Sequence, residues 1–320
     1  MSRSLIVVLP DLTEDHAARI RKAAEQLGFE CRFFDESSQS LPYLMNAEVI
    51  LGGDPFLSRH APKLRWICSP SAGINQFVSD KAFANPSAML TNSSGAYGVT
   101  IAEHIIMLLL EILRRQQEYQ AHVAGHEWFR RLPVRSIYGS KITILGTGDI
   151  GQETVRRLSG FAPKQITGIN RSGRNPGAAF DRIMRNTELD QVLPETDILI
   201  ISLPGTPDTL HMVGRKQLAL LPDHAVIINV GRGTVIDQEA LEQELRSGRL
   251  YAGLDVFETE PVPADSSLWD CPRLIITPHV AGDTTLPHTL DRIVDLFLED
   301  FDNYCAGRPL IRTADRGKGY

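Results

Sequence analysis

The run Lys141-Ile142-Thr143-Ile144-Leu145-Gly146-Thr147-Gly148-Asp149-Ile150-Gly151 decides the fold. A stretch rich in β-branched residues enters G-x-G-x-x-G directly, and a helical pattern over 152–158 leaves it. Alone the motif is loose; between a strand and a helix it is specific. Gly146 permits a tight turn, Gly148 lets backbone approach a pyrophosphate, and Gly151 permits close helix–strand packing. The helix N-terminus, from Asp149 and Ile150 onward, then offers backbone N–H groups to the anion.

Outward from this turn the pattern repeats. Toward the C-terminus, strand-like runs recur at 165–169, 197–203, 225–230, 251–256 and 274–277, with helical stretches such as 238–246 between some of them. That is the βαβ succession of a doubly wound sheet. Toward the N-terminus, 5–9, 32–34, 48–51 and 64–69 read as strands, and 14–27 as a helix ending at Gly28. Continuous apolar strands between helices predict a parallel sheet covered on both faces. The expected class is α/β, with two doubly wound parallel-sheet domains: a Rossmann cofactor domain inserted in a smaller, flavodoxin-like domain. The amphipathic stretch 286–304 is expected to pack back on the first unit. The expected bounds are 1–98 with 286–320 for the discontinuous domain, and 99–285 for the dinucleotide-binding domain.

Composition sets limits on function. At ~150 residues per domain, 320 residues suggest two domains. A formal charge of −6, from 33 Lys+Arg against 39 Asp+Glu, argues against nucleic acid or an anionic membrane as the main partner. Cys31, Cys68, Cys271 and Cys305 are far apart and read as reduced cytosolic thiols. The N-terminal run resembles no signal peptide, and no apolar run approaches the ~20 residues of a membrane span. The expected location is the cytoplasm. No H-E-x-x-H or Cys/His cluster suggests a metal.

A long helix is predicted from about 100 to 120. Its stretch 101–113 is apolar nearly all round and must be buried on more than one side. The segment 121–138 has no clear periodicity and reads as an arm reaching over another subunit. Together they predict a homodimer through about 100–139.

The ribose reader is expected about 20 residues beyond the glycine turn, after the next strand. There the sequence reads Asn170-Arg171-Ser172-Gly173-Arg174. A neutral amide stands where an NAD-binding domain usually has Asp or Glu, so nothing repels a 2′-phosphate. Arg171, Ser172 and Arg174 offer donors to it. NADP(H) is the expected cofactor, with NAD(H) possible.

Three segments carry an unusual polar residue at the end of an apolar strand: Arg232 in 229–233, a carboxylate in 254–261 and His279 in 277–282. Strand ends of open α/β sheets are where ligands bind. Leu203, Pro204, Val230, Gly231 and Gly282 stand at such ends and are expected at the cofactor. An arginine can grip a carboxylate and polarise its neighbouring carbonyl. A histidine can give or take a hydroxyl proton, and a carboxylate beside it favours imidazolium.

With these residues in order, the chain from about 64 to 304 resembles the D-isomer-specific 2-hydroxyacid dehydrogenase family. The resemblance implies that Arg232 binds the substrate carboxylate and carbonyl, and that Glu260, the acid directly before Pro261, pairs with His279, the acid/base. Glu258 is not that acid. It further implies that Asp255 and His279 meet the nicotinamide end of the cofactor. The discontinuous domain becomes the substrate domain, with Ser71, Ala72 and Gly73 of 69–75 taking a carboxylate on backbone N–H groups. The implied activity is reduction of a small 2-keto acid of the glyoxylate/hydroxypyruvate type. Glu260 counts against formate oxidation, since similar formate dehydrogenases carry Gln there, and the 69–75 loop lacks the lysine of phosphite-oxidising relatives. The competing reading is a non-catalytic dinucleotide sensor similar to the family's corepressors; three filled catalytic positions and no long appended tails oppose it. The other histidines read as non-catalytic, His104 as packed or at a subunit contact.

Overall fold

The computed structural model describes residues 3–177 and 179–317; residues 1 and 320, the outermost expected domain bounds, lie outside them. The chain divides into Met1–Tyr97 with Asp283–Tyr320, and Gly98–Gly282.

The first unit holds β1 (Arg3–Val8), β2 (Phe29–Phe34), β3 (Val49–Gly52), β4 (Trp66–Cys68) and β5 (Met89–Thr91). They pair in parallel in the order β2-β1-β3-β4-β5, the flavodoxin-like arrangement. Every residue of β3 and β4 is buried, as a sheet covered on both faces requires. One cover is the helix Glu14–Gln26, started by a capping box between Thr13 and His16 and facing inward with Ile20 and Ala24. Another is the helix Pro287–Cys305, whose Phe297 stacks on Trp66 at 5.4 Å and whose Phe301 meets Phe29 edge-on at 5.0 Å.

The second unit holds β6 (Lys141–Leu145), β7 (Gln165–Asn170), β8 (Arg182–Arg185), β9 (Ile198–Ile201), β10 (Val226–Asn229), β11 (Tyr251–Leu254) and β12 (Leu274–Ile276). Their order is β12-β11-β10-β9-β6-β7-β8, again all parallel. Counted within the unit this is the Rossmann order 3-2-1-4-5-6 with one more strand, and the winding reverses between β6 and β9.

Two features depart from the expectation. The short strands β5 and β8 are additional. The predicted helix over 100–120 is two helices, Gly98–Leu113 and Gln116–Ala124, broken at Arg115 with φ +58°. The Leu113 carbonyl, which a continuing helix would use, accepts the Arg135 N–H at 2.9 Å. No helix among the described residues is long and apolar enough to cross a membrane.

Candidate active site

The three glycines of the turn after β6 are demanded by different things. Gly146 has φ +100°, and a Cβ there would lie 2.8 Å from Ser202 Oγ. A Cβ on Gly151 would lie 2.2 Å from the Gly146 carbonyl oxygen, which is how closely the helix Asp149–Leu158 packs on the turn. A Cβ on Gly148, the N-cap, would meet nothing within 4 Å. The protein therefore needs glycine at 146 and 151 for its own packing, while at 148 the missing side chain leaves open space above a helix N-terminus. That cradle fits the pyrophosphate of a dinucleotide. The Asp149 carboxylate lies close to Gly98, whose Cβ would be 2.6 Å from its Oδ2. Asp149 and Ile150 form the first turn of that helix.

Beyond β7 the side chain of Asn170 holds its own loop. Its Nδ2 donates to Thr147 Oγ1 at 2.8 Å and to the Arg174 carbonyl at 2.9 Å. Its Oδ1 accepts from Ser172 Oγ at 3.2 Å and Gly173 N at 2.7 Å. An amide has two donor hydrogens and two acceptor lone pairs, and all four are engaged. Asn170 shapes the loop that carries the exposed Arg171, Ser172 and Arg174. Arg185, which sequence reading overlooked because β8 went unread, joins them: a Cβ on Gly173 would lie 2.9 Å from its Cγ.

The ends of β10, β11 and β12 bring the three polar residues together. After β10, Asn229 Oδ1 accepts the Gly231 N–H at 3.0 Å and its Nδ2 donates to the Arg232 carbonyl at 3.0 Å. Gly231 sits so close to the end of β9 that a Cβ would be 2.5 Å from the Leu203 oxygen. Val230 continues that contact by donating to the Ile201 carbonyl at 3.1 Å. Pro204 is fixed next to it by Thr209 Oγ1, 2.6 Å from its carbonyl. Gly233 leaves no room either, its Cβ position being 1.9 Å from Phe257 C, so the loop after β10 is packed against the loop after β9 on one side of Arg232 and against the loop after β11 on the other. Burial pulls the Arg232 guanidinium below the usual arginine range and the charge of Glu260 pushes it back up. It remains a cation at neutral pH.

Glu260 is held at both oxygens. Oε1 accepts the Phe257 N–H at 2.8 Å and Oε2 lies 2.7 Å from His279 Nδ1. A carboxylate only accepts, so His279 carries a hydrogen on Nδ1. His279 Nε2 has no hydrogen-bond partner among the described residues, and its side chain is 49% exposed. The backbone at His279 is left-handed, φ +54°.

Asp255, 1% exposed, holds that backbone. Its Oδ1 accepts from Thr277 Oγ1 at 2.6 Å and Val280 N at 2.9 Å, and its Oδ2 accepts from Ala281 N at 3.0 Å, next to Gly282. Its carbonyl takes the His279 N–H at 2.9 Å. His104 enters the same group, with Nε2 2.9 Å from Thr277 Oγ1. This histidine is thus bonded within its own unit. The available signal was a polar residue set among buried positions of an apolar helix.

In the first unit, the loop 69–75 after β4 has its carbonyls tied down. Ser93 Oγ donates to Ser69 O, Tyr97 Oη to Pro70 O, Ser93 N to Ser71 O and Asn92 Nδ2 to Ala72 O, at 2.9, 2.7, 3.1 and 2.9 Å. The Ser71 N–H bonds to Ser69 Oγ at 3.3 Å. The N–H groups of Ala72 and Gly73 find no acceptor among the described residues. Consecutive open N–H groups on a fixed turn suit a carboxylate. Among the described residues no group of three His, Cys, Asp or Glu is arranged to hold a metal.

The model of the D-isomer specific 2-hydroxyacid dehydrogenase NAD-binding domain matches residues 106–281. Glyoxylate/hydroxypyruvate reductase B of Pectobacterium carotovorum subsp. carotovorum (strain PC1) is 34% identical over 253 residues, covering 76% of this chain and 78% of that protein. A crystal structure of a D-isomer specific 2-hydroxyacid dehydrogenase family protein from Aeromonas salmonicida subsp. salmonicida superposes with TM-score 0.87 at 30% identity, over 99% of this chain and 100% of that one. The NADPH-dependent glyoxylate/hydroxypyruvate reductase of Sinorhizobium meliloti, solved with NADP and sulfate, gives TM-score 0.83 at 27% identity, over 99% and 100%. The chain belongs to the D-isomer specific 2-hydroxyacid dehydrogenase family and is an NAD(P)-dependent oxidoreductase acting on a CH–OH group.

Proposed function

We propose that this enzyme reduces a small 2-keto acid of the glyoxylate/hydroxypyruvate type, prefers NADPH, and works as a cytoplasmic homodimer. The observation that carries the reading is the group Arg232, Glu260 and His279, with Glu260 bonded to His279 Nδ1 at 2.7 Å and charge-coupled to Arg232. The names of the Pectobacterium and Sinorhizobium relatives support the substrate class.

The residues divide the work. Arg232 binds the keto acid's carboxylate and draws electron density from its carbonyl, with the N–H groups of Ala72 and Gly73, next to Ser71, as further donors. His279 gives its Nε2 proton to the carbonyl oxygen, and Glu260 stabilises the imidazolium that does so. The turn 146–151 holds the cofactor's pyrophosphate. Arg171, Ser172 and Arg174 hold its 2′-phosphate, and Asn170 braces their loop. Leu203, Pro204, Val230, Gly231 and Gly282 line its nicotinamide half, where Asp255 offers a carboxylate oxygen. When bound, the nicotinamide supplies the hydride.

Turnover of glyoxylate, hydroxypyruvate and phenylpyruvate with NADPH and NADH tests the reading. Activity on the first two, higher with NADPH, is expected. No turnover of any keto acid would overturn it in favour of a dinucleotide sensor.

The dimer is supported by large apolar side chains left in solvent on the region 100–139: Trp128 is 89% exposed, Tyr138 75% and Phe129 45%. Sedimentation at a monomer mass of 35.5 kDa at micromolar concentration would overturn it. A reducing compartment suits the four free cysteines; burial pushes the Cys31 and Cys68 thiols up to about 12, which makes them inert.

A further inference from the structure

On the helix Gly98–Leu113, Ile101, Ala102, Ile105 and Leu108 are buried, and His104 stands among them. Its partner lies 173 positions along the chain: Nε2 is 2.9 Å from Thr277 Oγ1, and 3.7 Å from Asp255 Oδ1. Proton counting gives the direction of each bond. The Asp255 carboxylate accepts, and its Oδ1 lies 2.6 Å from Thr277 Oγ1, so the single threonine proton points at Asp255. Thr277 Oγ1 can then only accept from the imidazole, and His104 must carry its hydrogen on Nε2. The opposite tautomer would set two lone pairs against each other at 2.9 Å.

The consequence reaches the reacting group. Asp255 takes the Val280 and Ala281 N–H groups on its carboxylate and the His279 N–H on its carbonyl. Those bonds hold the left-handed turn, φ +54°, from which His279 projects. A β-carbon residue in that region is strained unless its surroundings hold it there.

We propose that His104 is a positioning residue for proton transfer: its Nε2–H turns the Thr277 hydroxyl onto Asp255, and Asp255 in turn fixes the backbone that aims His279. The groups facing it are Asp255 and Glu111; burial pulls the imidazole below its ordinary value and both acids push it back, leaving it lowered. A neutral Nε2–H imidazole at neutral pH is the form the geometry asks for. The inference rests on His279 as the acid/base.

Three measurements on the full-length protein test it. Side-chain ¹⁵N NMR of the ligand-free enzyme should show His104 as the Nε2–H tautomer, and Thr277→Val should remove that preference. With NADPH and glyoxylate, His104→Leu and Thr277→Val should each lower kcat about tenfold, because the proton donor is misaimed. KM should stay within about twofold, and the double variant should be no slower than the slower single one. His104→Gln, whose amide can place an N–H where Nε2 stood, should recover activity to within about threefold of wild type. An Nδ1–H tautomer, unchanged kcat in Thr277→Val, multiplying losses in the double variant, or a Gln variant as slow as Leu would each overturn the proposal. His279→Ala assayed beside them separates the two ideas: if it stays fast the acid/base assignment fails, and if it is slow while Thr277→Val is fast only the positioning role fails. Should His104→Leu not fold, the NMR result and the Thr277→Val and His104→Gln rates still decide.

Discussion

Glu260 bonds the imidazole Nδ1 of His279 at 2.7 Å with one oxygen while its other oxygen is pinned by the Phe257 N–H at 2.8 Å. The carboxylate cannot rotate without breaking one of these, so the ring is fixed with Nε2 left for chemistry. His279→Ala is expected to lower kcat by roughly 10²–10⁴. Glu260→Gln keeps an acceptor but loses the charge, and should cost less than the histidine deletion. Dissociation constants for NADPH, measured by fluorescence, should hardly move in either variant. A large rise in those constants would mean that the pair serves cofactor binding instead.

The glycine turn predicts a contrast between neighbours. Gly148→Ala has φ −74° and open space, so its melting temperature should match wild type. Its cofactor affinity should fall by about 10- to 150-fold, the worth of one charged hydrogen bond lost at the pyrophosphate. Gly151→Ala must push backbone aside, with 2.2 Å to the Gly146 oxygen, and should lose both stability and affinity. Tight NADPH binding by Gly148→Ala would show that the pyrophosphate lies elsewhere.

Cofactor preference should depend on two different kinds of residue. NADPH is expected to exceed NADH by about tenfold or more in kcat/KM, less at high salt. Arg171→Ala should erase most of that while leaving NADH turnover nearly unchanged. Asn170→Asp removes both amide donors that bond Thr147 and Arg174, so it should reduce the NADPH advantage by loosening the loop. Equal use of both cofactors by the wild type at low salt would refute the assignment.

Acid sensitivity should appear in the first unit. Burial raises the Glu48 carboxyl, but hydrogen bonds from Arg3 and Tyr304 and the Arg3 charge outweigh it, leaving it below the usual glutamate value. A depressed carboxylate stabilises the fold above its unfolded value, ~4.3, and that contribution fades as pH falls through the lower folded value. Glu48→Gln should cost about 1 kcal/mol at neutral pH, held down by the exposed Arg3 side chain. Urea unfolding should find the two proteins converging in acid. A difference that persists at low pH would point to packing instead of charge.

Some of this molecule is written in local sequence. A missing Cβ is a property of one residue, so the tasks of Gly146 and Gly151 follow from the motif and its flanking strand. The apolar runs 198–201 and 226–228 announce a sheet buried on both faces, because only burial makes a strand apolar at every position. The two parallel-sheet units therefore follow from periodicity and spacing. Other features depend on where distant residues finish. The strands β5 and β8 are too short to show a period, and pairing with β4 and β7 defines them. Asn170 reads as the absence of an acid, yet its four bonds include one to Thr147, 23 positions earlier. His104 reads as packing until Thr277 is found 173 positions away. Hydrogen bonds between such residues leave no trace in composition or period. Local chemistry determined which groups the chain carries, and tertiary structure decided which of them hold the others in place.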